Sequence, residues 1–374
     1  MNLLFNVSNL RFGGGVSVAQ NLLEATLPLR RQDNSYIIAP EGKGYERLAR
    51  LGNVSVIYVP ERFHRSWPVK YYYNQVVFRR LLTRYHIDKV LSFGNIAFPS
   101  GDVPQFLLLQ NAWPVYPERI AWQVLDRKAA LYNKMMNAWT EKNLPYAHIY
   151  ALQTAVMQER FCRQYQVDKN RTVLLPNAVT PSNDTGKKTL RDGHTIRLLM
   201  LSKYYPHKNF DILLSLAQLI RQQRLDISIT ITIDPAESIA CKAFLQKIKE
   251  LQLDGIIINI GHVPTAQLAG VYRDHDALLF PTLLESFSGT YIEAMYYGLP
   301  VFTSDLDFAK GICADAAFYF DPMNAADILQ TITTAFSHPG LLRQKTAAAT
   351  TIVQAMPTWG QIAARFSEII DRFE

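Results

Sequence analysis

The chain has few cysteines and no long apolar run. Its three cysteines, Cys162, Cys241 and Cys313, are odd in number and lack the close pairs of a zinc site, so we expect reduced structural thiols. No run of about 18 apolar residues occurs, and the first residues lack a basic region followed by an apolar one, so neither a membrane-spanning helix nor a secretion signal is expected. These absences predict a cytoplasmic protein.

The size and charge of the chain indicate two unlike halves. Single cores tend to stop growing near about 250–300 residues, so a chain of 374 residues, 48% of them hydrophobic, predicts two folded domains. Residues 1–177 contain 22 Lys and Arg against 12 Asp and Glu, whereas the remainder contains 17 against 20. A basic first half predicts a polyanionic neighbour, which is nucleic acid, anionic lipid or a phosphorylated substrate.

Short apolar runs alternate with longer amphipathic ones in both halves, which predicts βαβ units and parallel sheets. The polar segment 179–195, rich in turn formers, predicts a linker between a first domain at 1–178 and a second at 196–356. The remaining residues, 357–374, are helical in pattern. Asn324 and Thr358 are expected helix N-caps.

In open α/β sheets, ligands bind beyond the carboxyl ends of the strands. Directly after the apolar run IRLLML lies SKYYPHKNF (202–210), where Lys203 and Lys208 flank a proline-containing turn. Two ammonium groups there could clamp a diphosphate and stabilise charge on a leaving phosphate. A solvated turn with surface lysines is an equally good interpretation.

A second polar segment, ESFSGTYIE (285–293), follows the run ALLFP and places Glu285 and Glu293 eight positions apart. Glu285 is expected at or before a helix start, with Glu293 two turns along on a similar side. Carboxylates bind hydroxyls, and the backbone amides of the turn with the helix dipole favour an anion. Together they suggest a sugar nucleotide. The alternative is one glutamate favoured by the dipole and one exposed.

A third segment, RFGGGVSVAQNLL, contains Gly13, Gly14 and Gly15 after the first strand run. Glycines let a backbone approach a ligand closely at a helix start. The spacing is not GxGxxG and the acidic residue of a dinucleotide site is missing. A simple connecting turn is about as good an interpretation.

The order of these motifs resembles the retaining GT-B glycosyltransferases often called family 4. The resemblance rests on S202-K-Y-Y-P-H-K-N209 followed by ALLFPTLLESFSGTYIEAMYYGLPVFTSD (277–305), with support from the glycine turn and LLPNAV (174–179). It is close over the second domain and loose over the first. It implies the α/β fold class with two Rossmann-like doubly wound domains facing across a cleft, an acceptor-binding first domain, a donor-binding second domain, and a C-terminal helix crossing back to the first.

The resemblance also implies roles for individual residues. Lys203 and Lys208 would bind the donor diphosphate and act in catalysis together with Glu285, which would face the transferred sugar, while Glu293 would take the ribose hydroxyls. The further donor-binding positions implied are Gly14, Gly15, Ser202, Asn209, His262, Val263, Ser286, Phe287, Ser288, Gly289 and Thr290.

Two departures from the family pattern stand out. Ser286-Phe-Ser288 replaces the usual Gly-Phe-Gly, so extra hydroxyls lie beside Glu285. Gln110 and Asn111 stand after the PQFLLL strand, where many relatives place a histidine near the donor sugar and acceptor. Neither residue titrates, so positioning of a sugar hydroxyl and simple turn formation both remain open.

No metal and no other cofactor is expected. Asp305-Leu-Asp307 and Asp274-His-Asp276 have the spacing of a metal-binding DxD motif. Neither lies in a first Rossmann-like half, and lysines with a helix dipole can neutralise a diphosphate instead. These aspartates are better explained as loop, cap or turn residues.

Residues 61–86 and 119–142 combine Arg and Lys with Trp and Tyr. This composition is typical of a helix lying in a membrane interface, of a nucleic-acid surface, or of an amphipathic helix with a buried aromatic face. With the resemblance, we favour an anionic membrane that holds a lipid-linked acceptor, and no nucleic acid.

The predicted function is therefore a retaining hexosyltransferase. By the resemblance, it would use a UDP- or GDP-linked donor and a lipid-linked or polysaccharide acceptor, in O-antigen, lipopolysaccharide or capsule synthesis, as a cytoplasmic or peripheral membrane protein. A sugar-nucleotide epimerase or phosphorylase of the same fold, and a non-catalytic nucleotide-, membrane- or nucleic-acid-binding module, are the alternatives.

Overall fold

The computed structural model of the chain describes residues 1–11, 13–64, 66–116, 119–178 and 195–373. The chain divides into two compact units. Unit 1 comprises Met1–Pro117, Ala129–Thr180 and Pro357–Glu374, and unit 2 comprises Glu118–Lys128 and Pro181–Met356. Apart from residue 195, the predicted linker lies outside the described residues.

Unit 1 is built on a seven-stranded parallel sheet. Its strands are β1 (Asn2–Asn6), β2 (Asn34–Pro40), β3 (Val54–Val59), β4 (Lys89–Phe93), β5 (Gln105–Leu109), β6 (Ile149–Leu152) and β7 (Thr172–Leu174). The strand order is β3-β2-β1-β4-β5-β6-β7. Parallel strands are covered on both faces, which is why these segments read as apolar runs. β5, for example, is buried throughout.

The helices of the first half cover this sheet on both faces, with one exception. They are α1 (Gly14–Thr26), α2 (Trp67–Tyr72), α3 (Phe78–Arg84), α4 (Arg119–Gln123), α5 (Arg127–Asn143) and α6 (Ala155–Tyr165). The exception, α4, belongs to unit 2. α2 and α3 form one continuous helical segment, in which a π-helical turn at Tyr73–Val77 joins them.

Unit 2 repeats the architecture with a six-stranded parallel sheet. Its strands are β8 (Ile196–Met200), β9 (Ile227–Ile231), β10 (Ile257–Asn259), β11 (Ala277–Phe280), β12 (Val301–Ser304) and β13 (Ala317–Phe320). The order β10-β9-β8-β11-β12-β13 places β8 and β11 side by side at the centre. The two segments singled out in the sequence follow these two strands.

The helices of unit 2 alternate with its strands, as the sequence predicts. They are α7 (Ile212–Gln222), α8 (Ile239–Glu250), α9 (Leu268–Arg273), α10 (Gly289–Tyr296), α11 (Asp307–Cys313), α12 (Ala325–Phe336) and α13 (Pro339–Ala355). The predicted cap at Asn324 is confirmed, because its side chain accepts hydrogen bonds from the backbone amides of Ala326 and Asp327 at the start of α12.

The last helix, α14 (Trp359–Arg372), packs on unit 1. It begins with a capping box between Thr358 and Gln361, which confirms the second predicted cap. The Phe366 ring lies 5.1 Å from the ring of Phe106 on β5. Buried Arg30 donates to Asp371 Oδ1 at 2.6 Å, so the helix is attached by apolar and charged contacts. The return of the C-terminal helix to the first domain is thus confirmed.

Candidate active site

The site forms where β8 and β11 end. These strands are hydrogen-bonded neighbours, so the segments that follow them emerge side by side at the carboxyl edge of the sheet. The backbone amide of Leu283 donates to the His207 carbonyl at 2.7 Å, and the Thr282 hydroxyl oxygen lies 3.2 Å from the same carbonyl oxygen. The two segments are therefore joined directly.

At this junction Lys208 and Glu285 form a buried ion pair. Lys208 Nζ contacts Glu285 Oε1, and their side chains are only 13% and 9% exposed. The Thr282 hydroxyl donates to the same carboxylate oxygen at 2.9 Å. Lys208 Nζ also lies 4.9 Å from the centre of the Phe280 ring, a cation–π contact. The structure thus brings these two predicted catalytic residues together.

His207 lies beside this pair in the 206–208 turn. Burial and the neighbouring Lys208 ammonium lower the pKa of His207 to about 3. The imidazole is therefore neutral near pH 7, and Lys208 supplies the positive charge of the turn.

The turn after Glu285 leads into the N-terminus of α10. Ser288 is the N-cap residue, and its side chain makes no capping hydrogen bond to the described residues of the first turn. The first amides of a helix have no partner within the helix, and the dipole makes this end positive. Gly289 opens the helix, so the backbone here is open to an anion such as a phosphate.

Glu293 lies inside α10 and has a different partner from Glu285. Its Oε2 accepts a hydrogen bond of 2.8 Å from the hydroxyl of Tyr272 on α9. Burial raises the pKa of the Glu293 carboxyl, and the bond from Tyr272 opposes that rise. The helix begins at Gly289, so Glu285 lies before it, as expected, and the two glutamates act through separate contacts.

The other predicted donor residues of unit 2 surround this edge in varied environments. Lys203 is exposed and Ser202 donates to its carbonyl at 3.0 Å. Asn209 is buried, adopts a left-handed φ of 61°, and donates to the Pro322 carbonyl at 2.8 Å. Asn209 therefore shapes the turn. The remaining positions, exposed or partly buried except for buried Ser288, are His262, Val263, Ser286, Phe287, Ser288, Gly289 and Thr290.

The predicted residues of unit 1 meet at the end of β5. A Cβ on Gly15 would lie 3.3 Å from Gln110 Oε1, so glycine makes room for this side chain, while Gly14 is exposed. The Asn95 side chain accepts from the backbone amides of Gln110 and Asn111 at 2.5 and 2.7 Å. Asn111 Oδ1 accepts from the Trp113 amide at 3.2 Å. Turn formation therefore accounts for the contacts of Asn111.

The two aspartate pairs have structural partners. Asp305 forms an ion pair of 2.5 Å with Lys310, and Asp276 accepts from the Arg197 amide at 2.8 Å. Within the described ranges, no group of three or more His, Cys, Asp or Glu side chains is arranged to hold a metal ion.

Sequence reasoning missed three residues that the structure ties to the site regions. They are Thr282, which bonds Glu285; Tyr272, which bonds Glu293; and Asn95, which bonds the turn after β5. Thr282 could have been suspected, because it lies two residues after β11. Tyr272 carried no such signal, because in the sequence it looks like any aromatic residue that a helix buries in the core.

Comparison with known proteins agrees with this arrangement. Residues 182–351 match the family Glycosyl transferases group 1. The D-inositol 3-phosphate glycosyltransferase of Pseudarthrobacter chlorophenolicus is 31% identical over 112 residues, which are 29% of this chain and 26% of that protein. The chain thus aligns with about a quarter of the length of this relative.

Two solved structures match nearly the whole chain. Anabaena HepE in complex with UDP and glucose has a TM-score of 0.68 and 16% identity over 99% of both chains. WaaG, a glycosyltransferase involved in lipopolysaccharide biosynthesis, has a TM-score of 0.69 and 16% identity over 99% of this chain and 100% of its own. At such identities the likeness establishes the fold, which is the GT-B fold expected from the sequence.

Proposed function

We propose that this chain, whose residues 182–351 match the family Glycosyl transferases group 1, transfers a hexose from a UDP- or GDP-linked donor to a lipid-linked or polysaccharide acceptor. The observation that carries the proposal is the Lys208–Glu285 pair at the ends of β8 and β11, next in sequence to the uncapped start of α10. A cation and a helix N-terminus suit a diphosphate, and a carboxylate suits a sugar hydroxyl. HepE, of the same fold, was solved with UDP and glucose.

In the proposed reaction, an acceptor hydroxyl oxygen forms a bond to the anomeric carbon of the donor. The bond from that carbon to the diphosphate oxygen breaks, and the acceptor proton passes to the leaving diphosphate. Lys208, Lys203 and the amides of α10 would stabilise the charge on that leaving group. Glu285 would position the sugar and act electrostatically. Retention of the anomeric configuration is part of the proposal and rests on the family resemblance.

A screen of donors against a cell-envelope lipid extract, followed by mass spectrometry, tests the function. A transferase adds the mass of one hexose to an acceptor and releases a nucleoside diphosphate. An epimerase would convert the sugar nucleotide without any acceptor, a phosphorylase would require inorganic phosphate, and a binding module would form no product.

The role of WaaG in lipopolysaccharide biosynthesis supports an acceptor in O-antigen, lipopolysaccharide or capsule synthesis.

We expect the transfer rate to be unchanged by EDTA. The proposal assigns charge neutralisation to Lys203, Lys208 and the N-terminus of α10, which need no divalent ion. The measurement is the initial rate with EDTA and after addition of Mn²⁺. A rate lost with EDTA and restored by Mn²⁺ would show that a metal is required.

The acceptor proposal includes contact with an anionic membrane through unit 1. Five large apolar side chains on α2 and α5 are exposed: Tyr71, Tyr72, Leu131, Tyr132 and Met135. The rings of Tyr71 and Trp139 lie 6.0 Å apart, which brings these two helices together. Exposed Lys134 and Lys142 lie on the same helix as Leu131. Apolar side chains flanked by cations are typical of a peripheral membrane surface.

No helix among the described residues is long and apolar enough to span a membrane.

We expect the protein to float with anionic liposomes at low salt and to dissociate as salt rises. The double substitution Leu131→Glu and Tyr132→Glu should reduce binding roughly tenfold or more, because it places two charges against the lipid. Ile239→Glu is the matched control, since Ile239 is 87% exposed but lies in unit 2. Absence of flotation by the unsubstituted protein at low salt would contradict the membrane proposal.

A further inference from the structure

The carboxylate of Glu293 is held from one side by a buried tyrosine. Tyr272 on α9 is fully buried and donates its hydroxyl to Glu293 Oε2 at 2.8 Å. Its ring stacks on Tyr297 with centroids 5.1 Å apart and planes 18° apart. A ring fixed in this way places its hydroxyl at one point, and the hydroxyl in turn fixes the carboxylate.

The other carboxylate oxygen has room beside it. A Cβ on Gly289 would lie 3.9 Å from Glu293 Oε1. Because residue 289 has no side chain, space remains next to this oxygen at the start of α10. The carboxylate therefore has one oxygen tied to the core of unit 2 and one beside the helix N-terminus.

We infer that Tyr272 is a positioning residue that orients Glu293 to accept hydrogen bonds from the two ribose hydroxyls of the donor nucleotide. The inference rests on the proposed function. Tyr272 itself does not touch the donor in this arrangement; it holds Oε2 so that the carboxylate presents Oε1 on the side of Gly289. An ionised carboxylate held in a low-dielectric setting binds a vicinal diol strongly, but only when its orientation is maintained.

The protonation states are suited to this role. Burial, followed by the charge of Glu293, raises the pKa of the Tyr272 phenol well above its ordinary value, so the hydroxyl remains a donor. Tyr297, which follows α10, acts on Tyr272 in the same direction. Burial raises the pKa of Glu293, and the Tyr272 hydrogen bond opposes this effect. Removing the hydroxyl should therefore raise the pKa of Glu293 further.

The test compares a nucleotide with its analogue that lacks both ribose hydroxyls. UDP and 2′,3′-dideoxy-UDP, or the corresponding GDP pair, are titrated calorimetrically into the intact protein and into Tyr272→Phe. We expect Tyr272→Phe to weaken the normal nucleotide roughly tenfold, the ratio that corresponds to one hydrogen bond to a charged group, and to leave the dideoxy analogue unchanged. Tyr319→Phe is the control, because it removes a hydroxyl that donates only within its own segment, to the Ala314 carbonyl.

Two further measurements distinguish a positioning role of Tyr272 from a general loss of structure caused by the substitution. The acid limb of nucleotide binding against pH should move to higher pH in Tyr272→Phe, and in turnover the donor KM should rise while kcat is kept. If Tyr272→Phe does not fold, Glu293→Gln tests the same contact, because it keeps the shape and loses the charge; it too should weaken only the nucleotide that carries ribose hydroxyls.

The outcomes distinguish failure of this inference from failure of the proposed function on which it rests. Equal weakening of both ligands by Tyr272→Phe, or no weakening of either, overturns the inference alone. A protein that binds neither UDP nor GDP overturns the proposed function and this inference with it.

Discussion

Replacing Lys208 by methionine is expected to lower kcat/KM for the sugar donor by roughly 10²–10³-fold, the usual cost of removing one preorganised group from developing charge. An ammonium has three N–H donors, so its bond to Glu285 leaves others for phosphate oxygens. Methionine keeps the length of the side chain and its packing against Phe280 while removing the charge. The measurement is the initial rate at low donor concentration.

The matched control is Lys310→Met. Lys310 pairs with Asp305, but both side chains are half exposed, and surface pairs contribute only about 0–1 kcal/mol. Its activity should equal that of the unsubstituted protein. Full activity in Lys208→Met would show that this lysine does not stabilise the leaving group.

Replacing Glu285 by alanine is expected to abolish transfer and to lower the free energy of unfolding by about 3 kcal/mol, because it leaves the Lys208 charge buried without its partner. The Thr282 hydroxyl also loses its acceptor at this position. Urea unfolding of the whole chain, followed by far-UV circular dichroism, measures the shift in the transition that contains unit 2.

A double substitution separates the two effects. Lys208→Met with Glu285→Leu replaces the buried pair by apolar side chains of similar size, which in other proteins is often neutral or stabilising. We expect this variant to recover most of the lost stability and none of the activity. Recovery of activity together with stability would mean that the pair only supports the fold, and that the chemistry lies elsewhere.

The elements of the fold could be predicted closely because their signals are local. The apolar run 277–281 predicts a strand by its own composition, and β11 lies at Ala277–Phe280. Asn324 and Thr358 cap helices through bonds to amides two or three residues away. A signal that spans only a few neighbouring residues can be recognised without knowledge of how the rest of the chain folds.

The candidate site could be predicted only in part. Lys208 and Glu285 were identified as members of separate motifs, and their direct pairing depends on β8 lying next to β11. Asn209 is predicted to bind the donor from its motif, but the bond from its side chain to the Pro322 carbonyl could not be predicted. Polar residues after a strand are easily recognised, but their orientation is set by the turn that holds them.

The sequence by itself determined the type and order of the elements, the two α/β domains and the polar motifs that follow their strands, because these depend on periodicity and on residues near one another in the chain. Only the tertiary structure decided which polar groups meet. Lys208 and Glu285 are 77 positions apart, and Tyr272 and Glu293 are 21 apart. Such contacts follow from strand order and helix packing, since they arise between segments that carry no local sign of one another.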